Sequence, residues 1–270
     1  MKKYIFMAVA GMLALSSCSN DDNEPIAQNA PQQMTFTAGF GDGAQTRATL
    51  SGYNVTFDAG DKISVFSANN NNVTFTTAAG SPSATESATF TGTATAGDPT
   101  YYAIYPYDED QDDYVRDGTT IKNVLIEPDQ SDASTTACGW EKESAIAYAT
   151  TTGSSFTFHN ACALLKITNG RGEGDIWIEV NDEEVLTGTF DLNTDDGSLA
   201  VQVGGGDYYV HADYVPNNKT IYLAVAPGTY TNFKATCDIN NTDHTKSKTG
   251  SVTFQAGKIY DLGNTSAWGN

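Results

Sequence analysis

Apolar and polar side chains alternate one by one through almost every segment of this chain. In MTFTAGF, Met34, Phe36, Ala38 and Phe40 fall on one face, with Thr35 and Thr37 on the other. YNVTF repeats the pattern with Tyr53, Val55 and Phe57, and KISVF (Lys62 to Phe66) follows after the turn DAGD. A period of two marks strands buried on one face, because successive side chains of a strand point to opposite sides of its sheet. The same pattern marks VTFTT, SATFTG, TYYAIYP, IKNVLI and AIAYA. Beyond a Ser/Thr/Gly break it continues in SFTFH, ALLKIT, DIWIEV, VLTGTF, LAVQV, YYVHA, TIYLAVAP, FKATCDI and SVTF. Gly, Asn, Asp, Ser and Pro clusters separate these segments at short intervals. No amphipathic helix is legible, so the chain is predicted to be all-β. About eighteen short strands exceed one ordinary sandwich. Two tandem β-sandwich domains are therefore expected, over residues 34–152 and 153–270. Their joint is placed in TTTGSS, Thr150 to Ser155, which carries no side chain suited to a core.

The N-terminus departs from this pattern. Lys2 and Lys3 precede an apolar run, Tyr4 to Leu15, that is too short to span a bilayer as a mature helix and ends in LSSC. Small residues before a cysteine suit the narrow pocket of a lipoprotein signal peptidase, and the stretch resembles a bacterial lipobox. Residues 1–17 are read as a lipoprotein signal peptide and Cys18 as the lipidated mature N-terminus. Its acyl chains would anchor the protein in the outer membrane at about 0.8 kcal/mol per buried methylene. The plainer alternative is an ordinary secretory peptide with a chance cysteine. Residues 18–33, polar and with two prolines, are expected to form a flexible tether.

Charge changes the picture in one respect. The 270 residues carry a formal net charge of −19, and no basic cluster suits phosphate, so nucleic acid is not expected as a partner. Beyond Cys18 the cysteines are Cys138, Cys162 and Cys237, an odd number without CxxC spacing. One disulfide is compatible with a location outside the cytoplasm, but its pairing is not legible. Cys162, within NACALLKI, is expected to be a buried small hydrophobe.

Candidate chemistry is thin. His159, His211 and His244 are far apart and form no metal-spaced set, and no nucleophile motif occurs. No catalytic residue, metal or cofactor is expected. In DEDQDD, Asp108, Asp110 and Asp112 match the first half of a calcium loop. However, Asp113 replaces the turn glycine and Thr119 the bidentate glutamate, which favours a solvated acidic loop. Asp182, Glu183 and Glu184 read as a charged turn, and carboxylates that meet only in space are the one route to a glycosidase. YYAIYPY, Tyr101 to Tyr107, is either a sugar-stacking platform or a strand half in the core. GGGDYY, Gly204 to Tyr209, lacks the following helix that a phosphate loop needs. Arginine occurs only as Arg47, Arg116 and Arg171. Arg47, in GAQTRATL between two strand segments, is either a solvated turn residue or a processing site.

The order of several segments resembles the fimbrillin family, subunits of type V pili and related surface lipoproteins. The matching pieces span most of the mature chain: the lipobox, a first strand followed by TRATL, VTFDAGDKISVF, ATFTG, YYAIYP, FTFHNACALLKIT, LAVAPGTY and FQAGKIYDLG. The resemblance implies a pair of transthyretin-like sandwiches, no enzymatic activity, and a place on the cell surface or in a fimbrium. It also implies cleavage after Arg47 by an arginine-specific protease, with Ala48 as the new N-terminus. The strand carrying Met34, Phe36, Ala38 and Phe40 would then leave, and a strand from another pilus subunit would take its place. A host protein or glycan is the further partner implied. After GKIYDLG there remains NTSAWGN, a poor plug for such a slot. Three roles stay open: a subunit that accepts without donating, one that donates the KIYDL region, or a lipid-anchored monomer. The competing reading is a lipid-anchored carbohydrate-binding surface protein.

Overall fold

The computed structural model describes residues 30–41, 57, 59–77, 87–107, 114–136, 139–141 and 143–269. Among the described residues the predicted alternation becomes twenty strands. Those of the first half are β1 (Pro31–Phe40), β2 (Lys62–Phe66), β3 (Val73–Thr77), β4 (Ser87–Thr95), β5 (Tyr101–Tyr105), β6 (Val115–Asp117), β7 (Thr120–Ile126), β8 (Ala147–Thr151) and β9 (Ser155–Asn160). Then come β10 (Ala163–Thr168), β11 (Gly174–Glu179), β12 (Thr187–Asn193), β13 (Leu199–Asp207), β14 (Tyr209–Val215) and β15 (Thr220–Val225). The last are β16 (Gly228–Tyr230), β17 (Lys234–Ile239), β18 (Thr242–Ser247), β19 (Val252–Phe254) and β20 (Ile259–Asn264). Among the described residues helix is confined to one turn at Asp132–Thr135 and a 3-10 turn at Thr265–Ala267. The protein is all-β, and none of its described helices is long and apolar enough to cross a membrane.

Seven strands close into a barrel in the order β1-β4-β3-β2-β5-β8-β9. Its interior is aromatic: Phe36, Phe57, Phe75, Phe90, Tyr101, Tyr105, Phe156 and Phe158 are all buried there. In the second half, the sheet β15-β10-β20 faces the sheet β14-β11-β17-β18. Leu165, Ile167, Ile221 and Leu223 on one side meet Ile176, Ile178, Val210 and Cys237 on the other. A third core, with Phe66, Ile104, Tyr114, Ile121, Ile126, Phe190 and Leu192, joins the outside of the barrel to the sheet β13-β12-β7-β6.

The joint expected at 152/153 falls in the turn between β8 and β9, which pair with each other within the barrel. Strand β7, from before that point, pairs along β12, from after it. Backbone hydrogen bonding of the barrel wall runs on to Asn160, and the third core draws on segments from both sides of that point. The strand predicted from Met34 begins at Pro31, so the last three residues assigned to the tether, Pro31 to Gln33, lie opposite β4.

Candidate functional site

Strand β1 closes the barrel. Along β4 it runs antiparallel, with Met34 opposite Gly92, Phe36 opposite Phe90 and Ala38 opposite Ala88. Along β9 it runs parallel over a shorter span, from Thr37 opposite Ser155 to Phe40 opposite Phe158. The Thr37 N–H donates to the Ser154 carbonyl (2.9 Å) and the Gly41 N–H to that of Phe158 (3.0 Å). Both rims of the strand are thus engaged, while Thr35 and Thr37 face solvent.

Its inward face is seated among rings. Phe36, 1 % exposed, lies 4.7 Å from Phe156 and 5.2 Å from both Phe75 and Tyr101, centroid to centroid. Ala38 is fully buried. Phe40 stacks on Phe57 at 5.1 Å and meets Phe158 and Tyr105 at 5.8 and 5.9 Å. Met34 is half-buried against the same core. Across from it, Gly92 is forced by close approach: a Cβ there would lie 2.7 Å from the Phe75 ring and from the Thr74 carbonyl. The four positions predicted to form one face of a removable strand are therefore together on the floor of one slot. Its walls are β4 and β9.

Arg47 and Ala48 lie outside the described residues, as do Cys18, Cys138 and the acidic loop 108–113. The flanks of the Arg47 segment are nonetheless placed. Phe40 before it and Phe57 after it stack on each other in the barrel core. The other two arginines are held. Arg116, within β6, donates to the Gly118 carbonyl and lies over the Tyr102 ring at 5.2 Å. Arg171 donates through Nε to the Thr265 carbonyl (2.7 Å) and through Nη2 to those of Ser266 (3.0 Å) and Trp268 (2.7 Å).

Those Arg171 bonds fix the segment after β20. Strand β20 runs parallel along β10 with its Lys166–Asp261 ion pair. Trp268 is 5 % exposed in the second core, and Gly269 exchanges two backbone hydrogen bonds with Thr245 on β18. Residues 264–269 are thus part of this protein's own packing.

The remaining candidates resolve into structural roles. Tyr101 and Tyr105 point into the barrel while Tyr102 lies beneath Arg116, so the tyrosine strand is half core. Glu184 accepts from the Thr231 N–H and hydroxyl and ties its turn to the β16–β17 connection. His211 stacks on Trp177 at 4.2 Å with Asp213 3.3 Å away, and His159 lies beside Tyr148. Gly204–Gly206 belong to edge strand β13. Among the described residues no group of three or more His, Cys, Asp or Glu is arranged to hold a metal ion. Cys162 and Cys237 are free, buried thiols, and burial pushes Cys162 up to about 12. A thiol held neutral in this way is inert.

Sequence reasoning missed the walls of the slot. SFTFH is legible as a strand, but its parallel pairing with β1, across the expected domain boundary, leaves no local signal. Arg171 was equally silent, because its three acceptors lie more than ninety positions away.

No family model matches the chain, and no curated protein matches it in sequence. Its fold is similar to that of solved structures from Bacteroides. One, from Bacteroides uniformis, has a TM-score of 0.55 at 18% identity, covering 87% of this chain and 94% of that one. Another, from Bacteroides ovatus, has a TM-score of 0.52 at 11% identity, covering 87% and 92% respectively. Both are described as candidate cell adhesion proteins. At these identities the likeness is one of fold.

Proposed function

We propose that this protein is a fimbrillin-like structural or adhesive subunit of a type V pilus, exported as a lipoprotein through Cys18 and without enzymatic activity of its own. Hydrolysis of the Arg47–Ala48 bond by an arginine-specific protease frees β1, and an extended strand from another subunit replaces it. The observation that carries this reading is the seat of β1: an aromatic-floored slot between two walls, occupied by the chain's first strand. Loss of β1 would leave an apolar cleft and two open strand edges, surfaces that favour β-strand addition. The engagement of Arg116 and Arg171 supports selectivity for the third arginine, since a protease needs an extended, accessible substrate. The seating of Trp268 and the Arg171 bonds favour a subunit that accepts a strand over one that donates residues 264–269, as a tip or accessory subunit would. The fold shared with candidate cell adhesion proteins of Bacteroides supports the same surface role.

Mass spectrometry of protein taken from the producing cells tests this. A mature N-terminus at Ala48, together with SDS-resistant high-mass species, is the expected result. A lipid-modified Cys18 with an uncut Arg47 and a monomeric protein overturns assembly. Measurable glycan affinity in that form would establish the carbohydrate-binding alternative instead.

A further inference from the structure

We infer that the β1 slot selects its incoming strand by side-chain size at two positions, and that the strand comes from a protein other than a second copy of this chain. The inference rests on the exchange reading above and specifies the partner. At the Phe36 position three rings stand within 5.2 Å, a space that only another large aromatic refills. Two residues on, Ala38 is fully buried, with Ala88 opposite it on β4 and Phe156 opposite it on β9. Protein interiors are packed as densely as organic crystals, so added carbons at that point would push against the wall. A second aromatic fits where Phe40 stacks on Phe57, and a flexible aliphatic fits at the half-buried Met34 position beside Gly92. Thr35 and Thr37, between these positions, face solvent, so their places are free to be polar. The slot is thus complementary to aliphatic–x–aromatic–x–small–x–aromatic. The strand must run antiparallel to β4 and parallel to β9, because reversing it would exchange the large and small sites.

This chain contains a second stretch close to that pattern: VTFQAGK, Val252 to Lys258, beside MTFTAGF. It carries a lysine where the second aromatic belongs, and it is in use. Strand β19 pairs with β16, and Phe254, 5 % exposed, packs on Tyr230, Phe233 and Tyr260 with centroids at 5.7, 6.0 and 5.0 Å. A second copy could lend it only by opening its own second core, and could lend its own MTFTAGF only by opening its own barrel. A different subunit with a free strand of this pattern faces no such cost.

The test uses the folded protein cleaved after Arg47 with an arginine-specific protease, and fluorescent ten-residue peptides spanning Pro31–Phe40. Uptake is followed by polarisation in the presence of excess peptide. The parent peptide is expected to exchange into the slot, and peptides carrying Phe36→Ala or Ala38→Phe to bind at least a hundredfold more weakly. A peptide of Ser251–Lys258 is expected to bind more weakly than the parent. An Ala38→Phe peptide that binds as tightly as the parent overturns the size rule and leaves strand exchange standing. Failure of cleaved, still-folded protein to take up the parent peptide overturns exchange itself. A cleavage-free check compares unfolding midpoints of intact Ala38→Leu and Thr35→Leu. A clear loss confined to Ala38→Leu supports the rule, and equal midpoints refute it. Uncut protein mixed with its cleaved form should give no mixed assembly, and an SDS-resistant one would overturn the exclusion of a second copy.

Discussion

Truncation of Phe36 to alanine measures the hold of the barrel on β1. The ring is 1 % exposed and touches Phe75, Tyr101 and Phe156. Burying such a side chain contributes roughly 1.5–3 kcal/mol by area alone. The cavity left among rigid rings raises the cost of Phe→Ala to about 3–5 kcal/mol. Against a typical total of about 5–15 kcal/mol, this removes a large share of the barrel's stability. Thr35, one residue away and facing solvent, is the control: Thr35→Ala should change stability by no more than about 0.5 kcal/mol. Urea unfolding gives the magnitude, but the readout must report on the right core. Trp140, Trp177 and Trp268 all lie outside the barrel strands, so tryptophan fluorescence follows the other half. Hydrogen exchange in β1, β4 and β9 is the appropriate probe, and in Phe36→Ala it should accelerate there and leave β11 and β17 protected. A loss below about 1 kcal/mol, or one equal to that of Thr35→Ala, would refute the slot as the source of β1's retention.

Three further perturbations test other parts of the structure. Gly92→Val places carbons where the Phe75 ring and the Thr74 carbonyl already stand, and should lower barrel stability by about 1–3 kcal/mol in thermal melts. Arg171→Ala removes a charged donor from three carbonyls. It should cost about 2–3 kcal/mol and speed exchange at Thr265–Gly269, with little effect on the barrel. Burial, reinforced by the nearby Asp132 carboxylate, pushes Glu141 up to about 7. Between pH 4.5 and 7 the folded state therefore holds a proton that the unfolded chain has released, so this group's contribution to stability falls as pH rises through that window. Glu141→Gln should accordingly raise the melting temperature at pH 8 and leave it nearly unchanged at pH 4, and equal shifts at both would contradict the assignment.

The one-by-one alternation of MTFTAGF or DIWIEV determined by itself that these segments are strands and which face of each is buried, since a strand's side chains have no third direction to take. It also placed Met34, Phe36, Ala38 and Phe40 on a common face. What no local pattern encodes is the neighbour across the hydrogen bonds. Strand pairing joins residues far apart in sequence, and SFTFH looks the same whether it begins a second domain or closes a barrel against β1. The tertiary structure decided that the predicted joint at 152/153 lies inside a sheet, that Phe156 and Phe158 floor the slot, and that Arg171 binds the segment around Trp268. Those are outcomes of closure and long-range packing, set by which faces could be buried together rather than by the residues beside them in the chain.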